Sequence, residues 1–264
     1  MQIMSQFVKV GNKIVPKPKG VDYDLVNGKC YSLINEDDWD GTLCLKEEDS
    51  IKITTNHIYE TEQDISFKNR VINNFNNSDK TTGVLLAGLK GSGKTLAAKQ
   101  LCKQANLPII IVDPSFRTSD LNKFFTLFNT PVAIIFDEVD KNTDRRWDTA
   151  QMLSFLDGMQ NTCKKLVVFT CNNTNSLDEN MLDRCSRIRY YKTYYELNRE
   201  TVNMIINDKF GKESDVLLDF IMKRFKTINY DNVTSFIKEV FDYCDDINEE
   251  SLEDLIKDMN IEIV

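Results

Sequence analysis

The chain has a single histidine, His57, and that scarcity removes whole chemistries. Histidine-based metal clusters lose their ligands, and Ser-His nucleophilic catalysis loses its base. The seven cysteines are Cys30, Cys44, Cys102, Cys163, Cys171, Cys185 and Cys244; they are odd in number and contain no C-x-x-C pair. They read as reduced thiols in a cytoplasmic compartment, not as a disulfide framework or a zinc site. An excess of positive charge is also missing. Lys and Arg number 33 against 41 Asp and Glu, for a formal net charge of -8 and a pI near 4.9. Global attraction to DNA or to an anionic membrane is not expected, although a local basic patch stays compatible with that balance. No apolar run approaches membrane-spanning length, and Met1–Val10 lacks the charged and apolar regions of a secretory leader.

What is present begins with the run Gly83–Thr95. Val84, Leu85, Leu86 and Ala87 are apolar enough for a buried parallel strand. Gly88, Leu89, Lys90, Gly91, Ser92, Gly93, Lys94 and Thr95 then fill the phosphate-cradling pattern G-x-x-x-x-G-K-[ST]. Its glycines let successive backbone N–H groups point at an anion, and the helix from about Thr95 offers its N-terminus. Lys94 supplies a point charge for the β- and γ-phosphates, and the Thr95 hydroxyl suits Mg²⁺. Leu96, next in the chain, completes the expected nucleotide-contacting stretch. A chance Lys-Thr after a glycine-rich turn is the bland alternative.

A second buried strand, Val132–Phe136, ends in adjacent carboxylates, Asp137 and Glu138. After a phosphate loop, the first acid at such a strand end helps hold Mg²⁺, and the second can deprotonate an attacking water. The next apolar run, Leu166–Phe169, ends in Thr170-Cys171-Asn172-Asn173, and amides there lie where ligands bind in parallel sheets. Asn172 is placed to hold the water or contact the γ-phosphate. The phenylalanines Phe124, Phe125 and Phe128 read as core.

The outer parts differ in character. Residues 1–60 carry short alternating runs punctuated by turn signals such as Asn27-Gly28, which predicts a small β-rich module, barrel-like in shape. Lysines lead in it and acids follow, a solvated face or a docking one. Residues 61–193 are the expected nucleotide-binding core. From residue 194 to 264 the pattern is helical, with stripes such as Val233, Phe236, Ile237 and Val240, and predicts a lid of three or four helices. Arg145-Arg146-Trp147 stands in a charged loop that is either ordinary surface or partner-facing.

Taken in order, phosphate loop, Asp-Glu strand, strand ending in Asn172, arginine pair and helical lid resemble an AAA+ ATPase, of the classical AAA branch, over roughly residues 57–245. The resemblance implies an α/β P-loop fold with a C-terminal lid, ATP and Mg²⁺ held between core and lid, and Mg²⁺ on Thr95 and Asp137. It implies Glu138 as general base and Asn172 as the water-positioning sensor. Leu177–Arg187 resembles the family segment that ends in arginine fingers, which makes Arg184, with Arg187, the residues that reach a neighbouring subunit's nucleotide. Fingers supplied in trans require a ring or a filament, and the resemblance implies a homo-oligomeric ring, hexamer or heptamer. The segment Asp113–Asp120 is short and lacks the aromatic pore loop of unfoldases. In this it is similar to the short-loop type typified by the mitochondrial Rieske-protein translocase. A protein substrate is therefore expected. A nucleic-acid-linked ATPase, such as a replication loader or packaging accessory, and a nucleotide-gated assembly protein are the alternatives.

Overall fold

The computed structural model of the protein describes residues 7–10, 12–16, 23–35, 43–48, 59–113, 116, 118–141, 156, 163–177, 187–212 and 214–264. His57, Arg145, Arg146, Trp147 and the run 178–186, with Arg184, lie outside the described residues.

Nine strands form one sheet: β1 (Phe7–Val10), β2 (Lys13–Pro16), β3 (Cys30–Asn35), β4 (Leu43–Glu48), β5 (Thr82–Gly88), β6 (Ile109–Val112), β7 (Val132–Phe136), β8 (Lys165–Cys171) and β9 (Ile188–Tyr194). Their order across the sheet is β1-β2-β4-β3-β6-β7-β8-β5-β9. The pairs β3·β6, β6·β7, β7·β8 and β8·β5 are parallel, and β1·β2, β2·β4 and β4·β3 are antiparallel. The central strands are apolar on both faces, as burial beneath helices on two sides requires: every residue of β7 and β8 is buried. Helices α1 (Glu62–Asn76), α2 (Lys94–Gln104) and α3 (Thr118–Phe125) accompany this sheet.

The N-terminal β-rich segment is present but does not close into a barrel. Its strand β3 pairs in parallel with β6, so the four strands continue the sheet of the core. Aromatic packing explains the join. The Phe7 ring lies 5.9 Å from Phe124 and 5.0 Å from Phe128, and Phe7, Ile14, Tyr31, Leu33 and Leu45 share one buried cluster with β6, β7 and α3. The phenylalanines read as core are therefore core, and they recruit the N-terminal strands into it.

Contacts divide the chain into two compact units. One comprises residues 1–54, 67–87 and 94–193, and the other residues 55–66, 88–93 and 194–264. The second unit contains four helices, α4 (Arg199–Phe210), α5 (Asp215–Arg224), α6 (Tyr230–Tyr243) and α7 (Glu249–Ile256), around a separate apolar cluster that includes Val202, Ile221, Phe236 and Leu252. Asparagine or serine side chains cap all four N-termini, at Asn198, Ser214, Asn229 and Asn248.

Candidate nucleotide-binding and catalytic site

The acidic edge belongs to the sheet unit. Strands β7 and β8 run parallel with Phe136 opposite Phe169, so both carboxyl ends open on the same side. Asp137 and Glu138 follow one strand, and Asn172 follows the other. The helix α2 begins at Lys94 and brings Thr95 to the same edge: its hydroxyl donates to Asp137 Oδ1 at 2.8 Å. Two hard oxygens thus stand side by side where Mg²⁺ was expected.

Thr170 was not among the residues singled out, and it ties the edge together. Its hydroxyl donates to Asp137 Oδ1 at 2.5 Å and accepts the backbone N–H of Glu138 at 2.8 Å. The second bond matters because Glu138 has φ +52, a left-handed conformation that costs a side-chain-bearing residue roughly 1 kcal/mol or more. A buried hydroxyl from the neighbouring strand holds that turn. The signal was legible as the one hydroxyl inside an otherwise apolar strand, Val167-Val168-Phe169-Thr170.

The Glu138 carboxylate has two partners. Asn172 Nδ2 donates to it at 3.4 Å, and Lys141 Nζ forms an ion pair one helical turn on. The Lys141 ammonium, and then the Asn172 amide, hold the carboxyl below the usual carboxylate range. Asp140, also missed, accepts the backbone N–H groups of Asn172 at 3.0 Å and Asn173 at 3.3 Å, and so sets where the amide of Asn172 begins. Lys94 is buried, and burial pushes its ammonium below its ordinary value, against the attraction of Asp140, Cys171, Glu138 and Asp137. Burial drives the Cys171 thiol up to about 11, so it stays protonated and unreactive at neutral pH.

The phosphate loop, Gly88–Gly93, belongs to the helical unit, and backbone bonds shape it. Leu89 N–H donates to Tyr194 O at 3.3 Å, Tyr230 N–H donates to Gly91 O at 2.9 Å, and Asn229 Nδ2 donates to Lys90 O at 3.3 Å. Gly88, at φ +138, runs so close to Tyr194 that a Cβ would stand 1.9 Å from its carbonyl oxygen. Gly91, at φ +74, would put a Cβ 2.8 Å from the Asp231 carboxylate. No side chain fits at either place. Ser92 Oγ is buried with no hydrogen-bond partner, an orphan that a phosphate oxygen would satisfy. Tyr230 donates its hydroxyl to Tyr59 O at 2.8 Å, and Tyr59 donates to Asp208 at 2.7 Å.

In the helical unit, a glycine loop with a buried Ser92 hydroxyl that has no hydrogen-bond partner among the described residues fits phosphate oxygens; in the sheet unit, Lys94 and Thr95 open a helix beside the acids. Among the described residues no group of three or more His, Cys, Asp or Glu could hold a metal ion by itself. Mg²⁺ on Thr95 and Asp137 would therefore complete its shell with phosphate oxygens and water. Leu96 is half-buried in the first turn of α2.

Arg187 is not part of this edge. It enters β9 beside Gly83, whose Cβ would meet the Arg187 carbonyl oxygen at 2.1 Å. Gly83 pairs with Val167, five residues before Asn172, so Arg187 lies roughly 15 Å from the acids along the strand direction. Phe116, in the short segment Asp113–Asp120, is half-buried and packs against the core of the sheet unit.

Residues 84–193 match the family described as ATPase family associated with various cellular activities (AAA). Among curated proteins the chain is 31% identical over 135 residues to the ATPase family gene 2 protein of Schizosaccharomyces pombe, covering 44% of the chain and 17% of that protein. It is 27% identical over 162 residues to the peroxisomal ATPase PEX6 of Dictyostelium discoideum, covering 52% and 13%. It is 30% identical over 122 residues to the ATP-dependent zinc metalloprotease FtsH of Mycoplasma mobile, covering 38% and 17%. The chain thus spans less than a fifth of the length of these relatives. Among solved structures its fold is similar to that of RuvB of Thermotoga maritima, the Holliday junction branch migration motor. That match has a TM-score of 0.58 and 16% identity, covering 75% of this chain and 69% of the other.

Proposed function

We propose that the chain hydrolyses ATP with Mg²⁺ as an oligomer of identical copies, and that hydrolysis drives remodelling or translocation of a protein. One observation carries the hydrolytic reading: Asp137, Glu138, Thr95, Thr170, Asn172 and Lys94 meet at one sheet edge in a connected set of bonds and charges.

Each residue then has a stated task. The loop amides and Lys94 bind the β- and γ-phosphates, and Ser92 Oγ donates to one of their oxygens. Thr95 and Asp137 would hold Mg²⁺, which neutralises phosphate charge when bound. Glu138 Oε takes a proton from water as the water attacks the γ-phosphorus, and Asn172 fixes the direction of that carboxylate. The Lys141 ion pair must loosen for Glu138 to accept the proton, because a charge-paired carboxylate is a weak base.

Arg187 stands at the wrong end of β5 for its own nucleotide. Any finger role it has is therefore played on a neighbouring copy, which supports an assembly closed head to tail, a hexamer or heptamer. Arg184, three residues earlier, is the other candidate finger. The choice of a protein substrate rests on the short segment Asp113–Asp120 and on similarity to relatives that include an ATP-dependent zinc metalloprotease.

The Glu138→Gln variant tests the reading. ATP binding should persist while phosphate release falls by at least about 100-fold. Wild-type turnover in that variant would remove Glu138 as base, and loss of ATP binding would remove the site.

A further inference from the structure

The carboxylate at the acidic edge is held at both of its oxygens. Glu138 Oε1 accepts from Asn172 Nδ2 at 3.4 Å, and Glu138 Oε2 is ion-paired with Lys141 Nζ. The two partners differ in kind. Asn172 is a neutral amide whose backbone N–H is bonded to Asp140 at 3.0 Å, so it directs the carboxylate without neutralising it. Lys141 is a cation, and its contact takes up the charge that would attract a proton. The backbone of Lys141 is fixed, whereas its head is not. Val139 is buried, Asp140 accepts the N–H groups of Asn172 and Asn173, and Lys141 N–H donates to Glu138 O at 3.0 Å. These bonds pin the 3₁₀ turn Val139–Lys141 to the end of β8. The Lys141 side chain is 58% exposed, and among the described residues Glu138 is the acid that it bonds. Its flexible four-carbon stem lets the ammonium change partners while the turn stays in place.

We propose that Lys141 is a further catalytic residue, which binds the terminal phosphate of ATP and frees Glu138 by leaving it. The inference rests on the hydrolytic reading above and deepens it. Its geometry follows from the chemistry. A water that Glu138 deprotonates stands about 3 Å from the carboxylate and roughly 3–3.5 Å from the phosphorus it attacks. The oxygens of that phosphate therefore lie within roughly 6 Å of Glu138, inside the sweep of a lysine head already on Oε2. A terminal phosphate carries roughly two negative charges against one for a carboxylate, so the ammonium prefers it. The exchange moves no proton onto or off Lys141. One charge-assisted hydrogen bond breaks, to Glu138 Oε2, and one forms, to a phosphate oxygen. Glu138 Oε2 is then open to the proton of the water, and the ammonium neutralises charge on the phosphoryl group as it transfers. ADP lacks that phosphate and leaves the pair closed, so Glu138 is released only by the nucleotide that can be hydrolysed.

The test is equilibrium binding of a fluorescent non-hydrolysable ATP analogue and of fluorescent ADP, each with Mg²⁺, to the full chain. Lys141→Met should lose more than about tenfold in affinity for the ATP analogue and change little for ADP. Lys141→Arg should keep the wild-type preference for the ATP analogue. Glu138→Gln removes the competing charge and should bind the ATP analogue several-fold tighter than wild type. Turnover supplies a second readout. Lys141→Ala should lose about tenfold or more in kcat. Propylammonium chloride should restore part of that loss, and tetramethylammonium chloride at the same ionic strength should not. Circular dichroism should match wild type in every variant. An unchanged ratio of ATP-analogue to ADP affinity in Lys141→Met overturns the proposal. Faster turnover in that variant also overturns it, and would leave Lys141 only a brake on Glu138. A wild-type chain that binds neither nucleotide overturns the hydrolytic reading itself, which sets that failure apart from the other two.

Discussion

The acidic edge and the phosphate loop are built by opposite means. The edge is built from side chains that bind each other: Thr95 and Thr170 on Asp137, Thr170 on Glu138, Asn172 and Lys141 on the Glu138 carboxylate. Its shape depends on which functional groups are present. The loop is built from backbone, held by Tyr194, Asn229 and Tyr230, and needs the absence of side chains at Gly88 and Gly91. A change at the loop acts through conformation and should remove binding. A change at the edge acts through chemistry and should remove turnover first.

The largest expected effect breaks the loop. Gly88→Ala puts a methyl group into Tyr194 O at a φ of +138, at a cost of about 3 kcal/mol or more. A fluorescent ATP analogue should no longer bind, and the melting temperature should fall. Normal binding would mean that side chains, not the backbone path, define the loop.

Thr170→Val tests the edge. It leaves an Asp137 oxygen and the Glu138 N–H without their shared partner, worth about 1–3 kcal/mol. Turnover should fall roughly tenfold or more while ATP affinity changes little. Equal loss in both would show that edge and loop are not separable by function.

A smaller effect concerns pH. Lys141 holds the Glu138 carboxyl below its ordinary range, so Lys141→Met should move the acid limb of the rate–pH profile upward, toward ordinary carboxylate values. The sign follows from linkage. A depressed carboxyl contributes stability above its unfolded-state value and loses it as pH falls through the folded value, so the variant should also resist acid less sharply. An unmoved limb would remove Lys141 from control of the base.

The smallest effect should spare both parts of the site. Glu47 accepts from Lys9 at 3.0 Å and Tyr23 at 2.8 Å, and pairs with Lys29. The Lys29 bond first, then those of Lys9 and Tyr23, hold its carboxyl down to about 2. Its stabilisation is present above the unfolded-state carboxyl value and lost as pH falls toward 2. Solvent screening leaves about 1 kcal/mol for Glu47→Gln, read by denaturant melts at neutral pH, with turnover unchanged.

Much of the site was legible because its parts are local. Gly88–Thr95 is one uninterrupted pattern, and Asp137, Glu138 and Asn172 each end an apolar run whose parallel pairing puts such ends together. Thr170, Asp140 and Lys141 were missed because their roles depend on which strand neighbours which, or on a turn after the strand, and no spacing rule marks them. The four helices of the second unit follow from a 3.6-residue stripe. The N-terminal strands were read as strands, yet taken for a self-contained module. Their alternation specifies a buried face but not the partner that buries it.

What the amino-acid order alone determined is the chemistry of each segment: a phosphate loop, an acid-tipped strand, an amide-tipped strand and an amphipathic helical tail. Backbone preference and hydrophobic period are properties of a few consecutive residues. Tertiary structure alone decided that Phe7 draws β1–β4 onto the parallel sheet, that Thr170 bridges Asp137 and Glu138, and that Arg187 stands away from its own acids. Those are contacts between residues far apart in the chain. They are chosen by competition among all possible burial partners, which no short stretch of sequence records.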